Sequence, residues 1–256
     1  MKPVVFIGAG PGAADLITVR GAQRLAAADI VLYDALTDPA LRKLAAVARW
    51  IDVGKRGFCN STGQVAINAL LVRHAQSGRA VVRLKGGDPS VFGRLEEELD
   101  ALSQAGIEAE VVPGITAALA AAAAAQRPLT RRGSGRSVSL TTAMTKSGEL
   151  RAARTADTEV FYMAGRQLAA LGRRLLQAGW AADTPVLVVS RAGWPDQLQS
   201  DHLAGTLGEA AVLHAGRPTV VTVGVGATRV GKAGPGGDIA CSLKIEAVQS
   251  EQQTVP

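Results

Sequence analysis

Between Pro3 and Gly114 five short runs, PVVFIGAG, IVLYD, RWIDVG, RAVVRLKGG and EAEVVPG, alternate with stretches of helical periodicity. Runs of this length, rich in Val and Ile and closed by glycine or proline, read as strands. The segments between them, LITVRGAQRLAAAD, QVAINALLVRHAQSG and VFGRLEEELDALSQAG, repeat apolar residues at helical spacing. Repeated strand–helix–strand units give a mainly parallel sheet covered on both faces. An alanine-rich helix, ITAALAAAAAAQRPLT, follows and stops at Pro128. Beyond it SVSLTTAM, TEVFYMAG, TPVLVVSRAG and PTVVTVGVG are strands placed more densely, as in a mixed sheet. LAALGRRLLQAG is an amphipathic helix between the second and third of them. The expectation is an α/β protein with an N-terminal domain over 1–122 and a C-terminal domain over 123–230. Residues 231–256 have weak periodicity and many polar or glycine residues, and are expected to be a loosely held tail.

Bulk properties narrow the partners. With 256 residues, 47% of them hydrophobic and 20% charged, the chain has core material for one large or two smaller domains. Its net charge of +6 favours anionic partners. Aromatic residues are only 4%, too few for a stacking platform that would hold single-stranded nucleic acid. The densest basic patch, RPLTRRGSGR, carries Arg127, Arg131, Arg132 and Arg136, either as solvated loop arginines or as an anion-binding rim. Cys59 and Cys241 have neither disulfide nor metal spacing. His74, His202 and His214 are far apart in the sequence and read as ordinary surface or core residues. VVFIGAG is too short for the apolar part of a leader. The longest apolar run, Ile115 to Ala125, falls below the roughly 20 residues needed to span a bilayer. A cytoplasmic protein without metal, membrane or nucleic-acid partner is expected.

Glycine-bearing turns carry the functional signal. In FIGAGPGA, Gly8, Gly10 and Ala13 fit a dinucleotide-binding turn, with the acid Asp34 about 20 residues on. That pattern invites a nicotinamide-dependent oxidoreductase. Asp15, near the start of the following helical segment, is poor company for a bound diphosphate. The pattern alone leaves a dinucleotide, another ligand and a structural turn all open. VVRLKGGDPSVFGR is sharper: a buried strand runs straight into Gly86-Gly87-Asp88-Pro89, where two glycines permit close backbone approach and Asp-Pro rigidifies the turn. VVPGITAA repeats the arrangement after the next strand, with Thr116 placed to cap the alanine helix. Three such loops at successive strand ends converge on one cleft, where open α/β sheets bind ligands.

GAGPG, the YD of VLYD, VGKRG, RLKGGDPSVFGR, VVPGIT and VFYM, in this order and at these spacings, resemble the tetrapyrrole methyltransferase family over residues 4–226. The resemblance implies two α/β domains and a homodimer. S-adenosyl-L-methionine would lie in the cleft between the domains and leave as S-adenosyl-L-homocysteine. It also implies that GAGPG is not a dinucleotide site. The implied cofactor contacts are Pro11, then Gly86, Gly87 and Asp88, then Val91. Thr116, Ala117, Met163 and Ala192 complete the set. Asp88 would pair with the ligand's ammonium group, while Val91 and Met163 would flank the sulfonium.

The implied reaction methylates a polyanionic tetrapyrrole, uroporphyrinogen III, at C2 and C7 to give precorrin-2 for sirohaem or cobalamin biosynthesis. Methylation of a later corrin intermediate such as precorrin-4 is the alternative, since AGWPDQ resembles a segment of enzymes acting there. Similar enzymes imply Asp34 as proton acceptor and Lys55 as proton donor. Arg94 and Glu97, one helical turn apart, are further candidates for substrate positioning or proton handling. Eight substrate carboxylates require cations, and Arg56, Arg83, Lys85, Arg94 and the arginines of RPLTRRGSGR are the expected supply. RNA modification, a third reading, is opposed by the scarce aromatics and the lack of a basic stripe.

Overall fold

The protein is described from a computed structural model that covers residues 2–54, 63–143, 150 and 152–231. Its first sheet contains β1 (Val4–Gly8), β2 (Ile30–Tyr33), β3 (Arg49–Asp52), β4 (Val81–Lys85) and β5 (Ala109–Val112). The spatial order is β3-β2-β4-β1-β5, and every pairing is parallel. Alternate side chains of β1, β2 and β4 enter two different cores, as the period of two demands. Val4, Phe6, Ile30, Leu32 and Val81 pack with Ile67 and Leu71 of α2 (Gln64–Ala75) and with Leu102 of α3 (Leu95–Gln104). Ile7, Val31, Val82, Leu84 and Val112 pack on the opposite face with Leu25 of α1 (Val19–Ala26) and with Leu41.

The second sheet holds β6 (Val138–Thr142), β7 (Thr158–Tyr162), β8 (Pro185–Ser190), β9 (Leu198–Leu203) and β10 (Thr219–Gly224). Its order is β6-β7-β10-β8-β9; β6 and β7 are parallel and the other neighbours antiparallel. One face is covered by α5 (Leu168–Gln177) through Leu168, Leu171 and Leu175. The other is covered by α4 (Ala117–Ala124), whose Ala118, Ala120 and Ala121 lie against Val160, Leu187, Val189 and Val220. The alanine helix therefore belongs to the second sheet by its packing. Its small side chains suit it to lie flat against strands. Strand β9, LQSDHL, is an element that periodicity does not predict: it is an edge strand with no buried position, held by pairing to β8. Among the described residues no helix is long and apolar enough to cross a membrane.

Two of the three histidines meet in this half of the molecule. Ser200 Oγ lies 2.7 Å from His202 Nε2 and 2.9 Å from His214 Nε2, while His214 Nδ1 lies 2.9 Å from Ser190 Oγ. His214 is buried, on a short helix, α6 (Ala211–His214). Burial, followed by the charges of His202 and Arg217, lowers its pKa below the usual imidazole value. The unfolded chain then takes up a proton that the folded chain refuses. Stability is expected to fall as pH drops through about 6.5 toward the lowered folded value. Thermal unfolding at successive pH values checks this. The slope should flatten in His214→Gln, and an unchanged slope would remove His214 as its source.

Candidate functional site

The turns after β1, β4 and β5 are tied into one knot. Gly10 and Gly87 exchange backbone hydrogen bonds of 3.2 and 2.7 Å, and Ala9 N donates to Lys85 O at 2.7 Å. Asp88 joins the third turn: its Oδ2 accepts from Gly114 N and its Oδ1 from Ser90 N, both at 2.8 Å. Gly114 sits so close to its neighbours that an added Cβ would lie 2.3 Å from Gly87 O and 2.7 Å from Gly8 Cα. Only glycine lets the three turns meet.

The second sheet supplies the facing wall. Because β10 runs antiparallel to β7 and β8, its first residues lie where those two strands end. Tyr162, Met163, Arg191, Ala192, Pro218 and Thr219 therefore reach the same cleft. Trp194 Nε1 donates to Pro11 O at 3.2 Å and links the two walls. The enclosed volume is about 220 Å³. All nine residues expected to contact the cofactor line it: Pro11 from the first turn, Gly86, Gly87, Asp88 and Val91 from the second, and Thr116 and Ala117 from the third. Met163 and Ala192 come from the opposite wall.

Local details differ from expectation. Thr116 occupies the position just before α4, yet its hydroxyl makes no helix cap. It lies 2.7 Å from Tyr162 Oη, which also accepts from Ala118 N at 3.3 Å. Burial raises the Tyr162 pKa, which keeps the hydroxyl protonated. The opening turn is not followed by a phosphate-ready helix. A short 3-10 turn over Ala14–Leu16 intervenes, and α1 begins only at Val19, where Thr18 Oγ1 already accepts from Gly21 N. This geometry lacks the turn-to-helix junction on which a dinucleotide site depends.

Asp34, Arg94 and Glu97 are not among the residues that line this cleft. Asp34, at the end of β2, is held through Oδ1 by Arg83 Nη2 at 2.6 Å, with 31% of its side chain exposed. Arg94 and Glu97 form a two-pronged pair, both contacts 2.7 Å, on the surface. Arg94 is not within the helix but precedes it, with φ of +54°, and Glu97 lies in the first turn of α3. An exposed pair of this kind contributes at most about 1 kcal/mol, so a ligand displaces it cheaply. Lys55 and Arg56 lie outside the described residues.

Several expected carboxylate-binding cations have other duties. Arg83 and Lys85 are buried and both grip Glu98, at 3.0 and 2.7 Å. Burial alone would depress the Arg83 pKa, but the charges of Asp34 and Glu98 outweigh it and raise it. Burial, then the charge of Arg83, lowers the pKa of Lys85. Arg127 pairs with Asp201 at 2.6 Å and donates to Ala227 O at 2.6 Å. Arg131 donates to Thr228 O. Arg127 lines a larger cavity, about 790 Å³, beside the end of α4, which contains none of the motif residues.

The cleft also contains Leu36, Phe92, Tyr162, Arg191 and Trp194. Phe92 and Tyr162 fall inside the quoted motifs VFGR and VFYM, and that proximity was the only available signal for them. Arg191 and Trp194 belong to an irregular segment whose position depends on the β8–β9 connection. Arg191 stacks 4.3 Å above the Trp194 ring and pairs with Asp196 at 2.7 Å.

The family model described as Tetrapyrrole (Corrin/Porphyrin) Methylases matches residues 3–211. The chain is 42% identical over 226 residues to a uroporphyrinogen-III C-methyltransferase of Pseudomonas aeruginosa, covering 86% of this chain and 92% of that one. It is 43% identical over 227 residues to a siroheme synthase of Neisseria meningitidis, covering 86% of this chain but only 47% of that protein. Among solved structures, the uroporphyrin-III C-methyl transferase of Thermus thermophilus complexed with S-adenyl homocysteine superposes with a TM-score of 0.76. Its identity is 33%, covering 87% of this chain and 97% of that one. A cobalt precorrin-4 methyltransferase gives a TM-score of 0.79 at 28% identity, covering 89% and 96%.

Proposed function

The chain belongs to the tetrapyrrole (corrin/porphyrin) methylase family, and from that membership we propose that it is an S-adenosylmethionine-dependent C-methyltransferase converting uroporphyrinogen III to precorrin-2. The observation that carries this reading is the convergence of five separate sequence segments on one cleft between the two sheets. The cleft suits the ligand chemically. Its floor is bare glycine backbone at Gly86 and Gly87, and its wall includes apolar Val91, Ala192 and Met163; of its two charged lining residues, Arg191 is paired with Asp196, while Asp88 offers a carboxylate.

When bound, S-adenosylmethionine supplies an electrophilic methyl group on a sulfonium. The protein's own residues bind, orient and exclude water, which provides most of the acceleration in a displacement that needs little acid–base help at the leaving group. Asp88 would hold the ammonium through the lone pairs not already committed to Ser90 N and Gly114 N. Val91 and Met163 would border the sulfonium. Once the pyrrole carbon has formed its new bond to the methyl group, the ring must shed a proton. Asp34 is the proposed acceptor, steadied by Arg83, and Lys55 the proposed donor. Arg94 and Glu97 exchange their mutual pair for contacts with substrate carboxylate and ring N–H groups. The same reading carries a homodimer working in the cytoplasm.

Anaerobic incubation with uroporphyrinogen III and methyl-labelled S-adenosylmethionine tests the reading. A product carrying two labelled methyl groups is expected. Absence of label on this substrate, with transfer to a later corrin intermediate, would move the assignment down the same pathway.

A further inference from the structure

Phe92 has an unfavourable position by every ordinary rule of folding. Its φ is +53°, in the left-handed region where a bulky side chain is strained, and the residue is 42% exposed. Its structural contact among rings is with Tyr162, at 4.9 Å between centroids. Strain without matching burial is a mark of functional constraint. Leu36 and Met163, each 46% exposed, line the same cleft, and Met163 is itself left-handed at φ +58°.

The turn that carries Phe92 explains its placement. Gly93 is wound so tightly that a Cβ there would lie 2.4 Å from Pro89 O. On one side of Phe92 the turn contributes Asp88 and Val91 to the cleft. On the other it leads into Arg94 and Glu97. An apolar ledge thus separates a pocket for a small ligand from a charged surface pair. A porphyrinogen has the complementary pattern, with electron-rich pyrrole faces and anionic edges. Its face suits an aromatic ring in offset or tilted contact, and its carboxylates suit Arg94.

We infer that Phe92, with Leu36 and Met163 beside it, is the platform on which a pyrrole face rests, setting the ring carbon before the methyl-donor pocket. This rests on the reading of the cleft given above. Phe92 is a substrate-positioning residue with no proton to give or take.

The test uses Phe92→Gly, which accepts the left-handed backbone, and Phe92→Trp, which retains an aromatic face. Wild-type protein must first bind S-adenosylhomocysteine by calorimetry and methylate uroporphyrinogen III; failure there overturns the reading of the cleft, independently of Phe92. Given both, Phe92→Gly should keep its unfolding temperature and its S-adenosylhomocysteine affinity. Its KM for uroporphyrinogen III should rise by about three- to tenfold, the worth of an aromatic contact to a bound ring. Phe92→Trp should restore KM to near the wild-type value. A Phe92→Gly variant with unchanged KM would overturn the platform. So would one that loses S-adenosylhomocysteine binding, because Phe92 would then serve the cofactor pocket.

Discussion

Glu98→Ala is expected to destabilise the protein by about 3–5 kcal/mol, the cost of leaving buried charge without its partner. Glu98 has no exposed surface, and its two carboxylate oxygens face Arg83 Nε at 3.0 Å and Lys85 Nζ at 2.7 Å. Gln64 Nε2 adds a third donor at 3.3 Å. Together with Asp34 the cluster balances two cations against two anions; removing Glu98 leaves both cations in the core with one anion at its edge. A pH signature accompanies the loss. Lys85 already titrates below its ordinary range in the folded state, and loss of Glu98 depresses it further. The unfolded chain holds that proton up to about pH 10.4, so the variant's stability should climb with pH toward that value more steeply than the wild type's. Urea unfolding at several pH values measures both effects. Glu98→Ala combined with Lys85→Met should recover part of the loss. A single variant within about 1 kcal/mol of wild type would show that the cluster does not hold α3 to β4.

Gly114→Ala is the second large effect, and it acts on binding. The new methyl group would sit 2.3 Å from Gly87 O and 2.7 Å from Gly8 Cα, contacts with backbone that cannot rotate aside. The turns after β1, β4 and β5 must then separate, breaking the hydrogen bond from Gly114 N to Asp88 Oδ2. Overpacking of this kind costs about 1–3 kcal/mol in stability. Displacing the turns by about 1 Å should reduce turnover on the order of a hundredfold. Calorimetry with S-adenosylhomocysteine and thermal unfolding separate the two consequences. Full affinity in a folded Gly114→Ala variant would mean that the three-turn knot does not shape the cofactor pocket. Asp88→Ala removes the same hydrogen bond without the clash, and its smaller loss would isolate the contribution of the carboxylate.

Much of this architecture was legible because it is local. Strands of the first sheet are short apolar runs closed by glycine or proline, and the helices between them have their own periodicity. Two misreadings have the same origin. Strand β9 has no buried position and exists only by pairing with β8. Thr116 stands at a helix start with the right side chain, yet its hydroxyl goes to Tyr162, 46 residues away. Arg83 and Lys85 alternate correctly along a strand, and alternation tells which face they share. It does not tell that a helix residue, Glu98, reaches down to claim both.

The sequence by itself determined the two kinds of sheet, the glycine turns and the chemical types that line the cleft, since strand pattern and turn chemistry act over a few residues. Tertiary structure alone decided which charges remain available to a ligand and which aromatic rings stand at the mouth. A cation's role depends on whether a carboxylate lies within about 3 Å of it, and that distance is set by how β4 and α3 pack. The exposure of Phe92 likewise follows from the winding of one turn against Tyr162 of the other sheet. Both depend on contacts between segments far apart in the chain, where no local pattern records the neighbour.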